Sequence, residues 1–265
     1  MSTRTRRRIE AALALGGINL RQMAAALTGW PRYLVQLARL RKQAAQSAHR
    51  LPFGKPWPCL ADAGDGSPIA EHYFFQDLWV AQRIFANQPR HHVDVGSRLD
   101  GFIAHLAVFR QVEAFDIRPV AAVIPNVTFK QVDMQQPLDK AWAGYCDSLS
   151  CLHALEHFGL GRYGDPLDYD GHLQGLRNLT LLLQPGGKLY LSVPFGPSRI
   201  EFNAHRVFNL GYLLELLCQD YEIDRFAFVD DANYLHADVK ITTESVRVNF
   251  GCWMGCAILE MTRKG

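Results

Sequence analysis

Between His92 and Phe102 the sequence runs His-Val-Asp-Val-Gly-Ser-Arg-Leu-Asp-Gly-Phe, an apolar, β-branched run closed by Gly96 and followed by a helical stretch that opens at Gly101 and reaches Val108. A strand that passes into a helix through so short a glycine turn belongs to an α/β unit. In open α/β sheets a ligand lies outside the carboxyl ends of the strands, where the strand order reverses. Asp94, Gly96, Ser97 and Gly101 are therefore candidate ligand contacts, glycine being the residue that lets a backbone come close. The spacing departs from the dinucleotide pattern GxGxxG, because Arg98 and Leu99 stand where a second glycine would be.

The rest of the chain after Pro89 repeats the alternation. Strands are expected at 92–95, 111–116, 127–132, 145–151, 188–193, 221–229 and 256–261, with helices at 101–108, 171–183 and 207–218 between them. This pattern predicts a mostly parallel, seven-stranded sheet with helices on both faces. With 265 residues, 48% hydrophobic and 20% charged, the chain is long enough for one such domain, placed at 69–265, and an appended segment at 1–68.

That segment reads as a basic helical N-terminal extension. Ile18, Leu20, Met23, Leu27, Tyr33, Leu34, Leu37 and Leu40 recur at helical spacing over 7–48, which predicts two or three short helices with Pro31 in the first turn of the last. A Pro- and Gly-rich loop, 51–68, follows, and helix resumes from 69 to 87. Residues 1–50 hold ten Lys or Arg against one acid, Glu10, whereas the remainder holds 18 against 25. A basic head on an acidic body is expected to meet something anionic, such as a membrane surface, a lipid-linked phosphate or nucleic acid; a solvated helical face is the competing reading. Nucleic acid ranks lowest, since the head has few aromatics for base stacking. No run of eighteen uncharged apolar residues occurs and the start lacks an apolar leader, so a soluble, cytoplasmic protein is expected, with peripheral contact at the inner face of the membrane. The six cysteines form no CxxC pair and read as reduced, mostly buried thiols without a structural metal.

Acids recur at the strand ends. Asp116 closes the second strand about twenty residues after the loop, where a carboxylate accepts from ribose hydroxyls. The third ends in Asp133-Met134, suited to an adenine amino group and to packing its ring. Gln184-Pro185-Gly186-Gly187-Lys188-Leu189-Tyr190-Leu191 then gives a helix end, a glycine turn and a central strand. In this layout the chain resembles the class I S-adenosylmethionine-dependent methyltransferases. The resemblance implies a Rossmann-like fold, S-adenosyl-L-methionine as cofactor, and contacts from Asp94, Gly96, Ser97, Gly101, Asp116, Ile117, Asp133, Met134 and Ser150. The segments 92–98, 115–119, 153–165 and 202–208 further resemble the family filed as domain of unknown function 268. That resemblance implies a bacterial surface-polysaccharide context, with a sugar, nucleotide-sugar or lipid-linked glycan precursor as methyl acceptor. A non-catalytic scaffold that keeps the fold is the alternative, and nucleic-acid methylation a lower one.

His153-Ala154-Leu155-Glu156-His157 matches the HxxEH string of inverted zinc proteases. Its place after the fourth strand favours the methyltransferase reading. If the acceptor is a hydroxyl, His157, His205 and His153 are candidate bases, with Glu156 orienting them. The glycine-interrupted loop 159–172 carries Arg162, Tyr163, Asp165 and Asp168, polar and aromatic groups that suit a carbohydrate. Arg206 is a candidate partner for a phosphate handle. Asp165, Asp168 and Asp170 lack the glycine and closing glutamate of a calcium loop, so no metal is expected.

Overall fold

The structure is a computed structural model that describes residues 20–46, 53, 55, 56, 58, 60 and 71–265. The chain divides into two units, Met1–Pro68 and Ile69–Gly265.

In the first unit one helix, α1 (Leu20–Gln46), replaces the two or three short helices expected there; the parts of that expectation before Leu20 and after Gln46 lie outside the described residues. Pro31 sits inside α1 rather than in a first turn. Pro lacks an N–H and costs a helix interior about 3 kcal/mol, but Ala- and Leu-rich helix formers flank it on both sides and carry the helix through. Most of the loop expected at 51–68 also lies outside the described residues.

The second unit opens with α2 (Glu71–Asn87) and then builds the sheet. Its strands are β1 (His92–Val95), β2 (Val112–Asp116), β3 (Val127–Gln131), β4 (Cys146–Leu152), β5 (Leu183–Phe195), β8 (Tyr221–Val229), β9 (Leu235–His236) and β10 (Gly255–Arg263). The order across the sheet is β3-β2-β1-β4-β5-β10-β8-β9. The first five strands are parallel, and β10 runs antiparallel between β5 and β8. The sheet has eight strands where seven were expected, because the two-residue β9 pairs with the end of β8. A separate hairpin, β6 (Arg199–Glu201) with β7 (His205–Val207), follows β5.

Side-chain alternation feeds two apolar layers. On β5, Leu189, Leu191 and Val193 join Leu179 and Leu182 of α4 (Gly171–Leu182) and Leu213 and Leu217 of α5 (Leu210–Leu217). Tyr190 points to the other face, with Trp79 and Ile84 of α2 and Leu106 of α3 (Ala104–Ala107). On β10, Leu259 and Met261 take the first face and Cys256 and Ile258 the second. Burial on both faces explains why the central strands read as apolar runs. A short helix, α6 (Thr243–Arg247), precedes β10.

Two local expectations are corrected. The helix after β1 begins at Leu99, in a π-turn (Leu99–Ile103) closed by Ile103 N donating to Arg98 O at 3.4 Å, before α3. The Pro185-Gly186-Gly187 segment is not a turn ahead of the strand but lies within β5: Cys146 pairs with Leu183 and Ser148 with Lys188, so the intervening residues bulge out. Cys146, Cys151, Cys252 and Cys256 are buried and free, and Cys218 is exposed.

Candidate active site

The strand order reverses between β2-β1 and β4, and the loop after β1 lies at that point. Its shape is set from below by a buried relay. Asp94 Oδ1 accepts from Ser97 Oγ at 2.7 Å and from Ser150 Oγ at 2.6 Å, and Oδ2 accepts from Ser97 N at 3.1 Å. Ser150 Oγ, having given its proton to Asp94, accepts from His92 Nε2 at 3.1 Å, which leaves His92 Nδ1 to accept from Ser148 Oγ at 2.7 Å. His92 is therefore neutral, and burial lowers its pKa to about 3. Burial likewise raises Asp94 to about 6, against the bonds from Ser150 and Ser97. Asp94 and Ser150 were expected as cofactor contacts; both are buried beneath the loop and hold it in place.

Gly96, at the end of β1, adopts φ 73°, and a Cβ there would lie 2.8 Å from Ala154 Cβ. It lines a cavity of ≈ 320 Å³ together with Ser97 and the strand-end residues Asp116, Ile117, Asp133 and Met134. Gly101 is off the wall of that cavity; its hydrogen faces Asp77, whose Oδ2 a Cβ would meet at 2.7 Å. Asp116 is not a free carboxylate. Its Oδ1 accepts from Arg118 N at 2.8 Å and Nε at 3.0 Å, and its Oδ2 from Nη2 at 2.8 Å. The Arg118 guanidinium lies 4.4 Å from the Tyr163 ring centroid.

The floor continues into a second cavity of ≈ 330 Å³, and Tyr73, His153, His157 and Arg162 line both. All four candidate catalytic residues, His153, Glu156, His157 and His205, line this second cavity. β4 ends at Leu152, His153 takes the left-handed backbone (φ 49°), and a 3-10 turn, Leu155–His157, follows. This is not the helix on which HxxEH would present two histidines to zinc. Instead both histidines face the carboxylate between them: Glu156 Oε1 is 2.8 Å from His153 Nδ1 and 3.6 Å from His157 Nε2. His153 Nε2 lies 3.2 Å from Cys256 Sγ. Burial opposes charging His153, but Cys256 and Glu156 outweigh it and hold its pKa well above the ordinary imidazole value. Burial also works against the Glu156 carboxylate, and His153 overcomes it, so Glu156 is lowered.

His157 differs. Its Nδ1 donates to Ala204 O at 2.6 Å, since a carbonyl can only accept, and burial lowers its pKa despite Glu156. The neutral ring thus keeps Nε2 without a proton. His205, on β7, lines the second cavity and pairs with Glu201 at 3.2 Å.

The expected substrate residues separate into two groups. Arg162 and Tyr163 line the first cavity, and Arg162 donates to Ala204 O at 3.0 Å. Asp165, Asp168 and Arg206 build the loop. Asp165 also reaches the first cavity, but its carboxylate accepts from the backbone of Gly159, Gly161 and Tyr163, and Asp168 from Asp170 N. Arg206, 4% exposed, donates through both terminal nitrogens to the carbonyls of Glu156, Phe158, Asp168 and Tyr169, and its remaining donor, Nε, is buried away from a phosphate. Among the described residues no group of three or more His, Cys, Asp or Glu side chains could hold a metal ion.

Four lining residues were not anticipated: His72, Tyr73, Gln76 and Asp77, all from α2. Their signal is faint but present, since Gln76 and Asp77 are adjacent polar residues between the apolar runs Tyr73-Phe74-Phe75 and Leu78-Trp79-Val80-Ala81. Burial raises the Asp77 carboxyl and lowers His72 to about 3. The His72 ring lies tilted against His153 at 4.5 Å between centroids, and its buried Nε2 has no hydrogen-bond partner among the described residues; Glu156 Oε2 is in the same position.

A parallel sheet with the antiparallel β10 inserted between β5 and β8, and a ligand-sized cavity at the switch point, define the class I methyltransferase fold. Residues 127–244, somewhat less than half of the chain, match the model of the family described as "Caenorhabditis protein of unknown function, DUF268". Two of the segments that suggested this family, 153–165 and 202–208, fall inside that span. Among solved structures the chain is similar to Burkholderia thailandensis 1,6-didemethyltoxoflavin-N1-methyltransferase, determined with 1,6-didemethyltoxoflavin and S-adenosylhomocysteine. The identity is 16% and the TM-score 0.50, covering 72% of this chain and 80% of that one. It is equally similar to the [4+2]-cyclase SpnF, at 16% identity and TM-score 0.50, covering 86% and 93%. No curated protein matches the chain.

Proposed function

We propose that the protein is an S-adenosylmethionine-dependent methyltransferase that O-methylates a sugar or glycan precursor of bacterial surface polysaccharide. The observation that carries the cofactor is the fit of the first cavity. Gly96 leaves room that a Cβ would take, acids stand at the ends of β2 and β3, and ≈ 320 Å³ lies between them. Asp116 would accept from the ribose hydroxyls, Asp133 from the adenine amino group, with Met134 against the ring. The buried Asp77 carboxyl would face the cationic end of the cofactor. When bound, the cofactor supplies an electrophilic methyl on a sulfonium.

The remaining chemistry belongs to the chain. Transfer to a hydroxyl needs alignment and a group to take the proton. His157 suits that role: it lines both cavities, Ala204 O fixes its tautomer, and Glu156 stands 3.6 Å from its bare Nε2 to stabilise the charged ring. His72 Nε2 and Glu156 Oε2 beside the second cavity, unpartnered among the described residues, favour an acceptor that brings hydrogen-bond donors, as a polyol does.

Isothermal titration with S-adenosylhomocysteine tests the cofactor half: binding is expected, and Asp116→Ala should abolish it. A wild-type protein that takes up no heat and shows no thermal shift with either cofactor form refutes this reading. A scaffold without turnover is the second reading, and the grip of Arg118 on both oxygens of Asp116 favours it. SpnF, a cyclase by name, supports the point that this fold alone does not fix the reaction. Mass spectrometry of glycans from a deletion strain separates the two, since only loss of turnover removes a methyl group.

A further inference from the structure

We infer that α1 is a membrane-surface helix that lies on anionic lipid. The sequence of Leu20–Gln46 holds five Lys or Arg and no acid. At 100° per residue Met23, Leu27, Trp30 and Leu34 fall on one stripe, which Arg41 closes near the helix's C-terminal end, while Arg32 and Arg39, seven apart, share the far side. The stripe faces solvent: Leu27 is 75% exposed, Leu34 57% and Met23 53%. A soluble helix hides such a stripe, and one left open marks an interaction surface.

Charge and shape together select the partner. No helix among the described residues is long and apolar enough to cross a membrane, so α1 lies on a bilayer rather than spanning it. A second copy of α1 would bring five like charges against five, and a nucleic-acid backbone would satisfy the arginines while leaving the Leu and Trp stripe in water. A bilayer with acidic headgroups satisfies both faces, because the apolar side chains enter the acyl boundary and the cations stay among the phosphates. Trp30, with Tyr33 packed edge-on at 5.6 Å, is placed for the interfacial layer that such rings prefer.

The test is co-sedimentation of the full chain with phosphatidylglycerol-rich vesicles and with pure phosphatidylcholine vesicles. Binding is expected to the acidic vesicles alone and to weaken with salt. Leu27→Glu with Leu34→Glu should reduce it about tenfold or more, and Arg39→Gln with Lys42→Gln should also weaken it by about 25-fold, each Lys or Arg near the surface being worth roughly a fivefold factor. Unchanged circular dichroism in the second pair keeps its result free of folding effects. The inference is overturned by equal partition of wild type and both variants. It is also overturned by a dimer in sedimentation equilibrium that Leu27→Glu with Leu34→Glu dissolves, or by tighter binding to duplex or single-stranded nucleic acid than to acidic vesicles. Cofactor binding by residues 71–265 plays no part in any arm.

Discussion

Glu156 Oε1 lies 2.8 Å from His153 Nδ1 with the carboxylate 1% exposed, so the two form an ion pair in the wall between the cavities. The pH dependence follows from the two directions of shift. Glu156 is lowered from 4.5, so its contribution is present above that value and is lost as pH falls through the folded pKa. His153 is raised from 6.5, so its contribution is full below that value and is lost as pH rises through the folded pKa. Both are full only between 4.5 and 6.5. Glu156→Gln is expected to destabilise the fold by about 3 kcal/mol there, the low end for a broken buried pair. Urea unfolding of both proteins across pH checks it; a difference that is the same in acid and in alkali would show that the pair is not ionic.

The relay below the loop predicts a second pH effect, on binding. With its pKa raised to about 6, Asp94 is ionised at neutral pH and accepts three hydrogen bonds from Ser97 and Ser150. Protonation below that pH turns one acceptor into a donor with no acceptor opposite it. Affinity for S-adenosylhomocysteine should fall as pH drops through about 6, and Asp94→Asn should be weak and nearly flat with pH. For stability the sign is reversed: the folded chain keeps a proton that the unfolded chain releases above 3.8, so ionisation between 3.8 and about 6 lowers stability. Calorimetric titrations at several pH values decide the matter, and a wild-type affinity that stays level through pH 6 counts against the relay.

What could be read from the sequence follows from the range of each cause. The strands and the switch-point loop were legible because β-branched runs, Gly96 and the strand-end acids are local signals at regular spacing. The two-residue β9 and the bulge at Gln184–Gly187 were not, since each depends on a partner strand far away in sequence. The same holds in the site. Asp116, Asp133, His153, Glu156 and His157 announce themselves by position, whereas His72 and Asp77 reach the cavities only because α2 packs on the sheet face that carries Tyr190 of β5 and Ile258 of β10. Arg206 shows the converse: its type suggested a phosphate, and four loop carbonyls take up both of its terminal nitrogens instead.

Arg118 presents a choice between gate and ligand. Its bidentate hold on Asp116, about half exposed, must loosen if that carboxylate is to accept from two ribose hydroxyls. Arg118→Ala is therefore expected to leave S-adenosylhomocysteine affinity unchanged or to raise it a fewfold. A loss beyond about tenfold, or 1.4 kcal/mol, would instead make Arg118 a contact of the cofactor.

Gly96 combines two constraints that a paired substitution can separate. Its φ of 73° strains any residue with a side chain, and a Cβ would come within 2.8 Å of Ala154 Cβ. Gly96→Ala should therefore weaken S-adenosylhomocysteine binding through both, while circular dichroism stays native because the loop lies outside the apolar layers. Adding Ala154→Gly removes the contact and leaves the backbone strain of about 1–2 kcal/mol. The double variant is thus expected to recover part of the affinity and to remain about 5- to 30-fold weaker than wild type. Full recovery would mean that contact alone sets the requirement for glycine, and no recovery that the left-handed turn does. Affinity in Gly96→Ala equal to wild type would remove the loop from the cofactor site altogether.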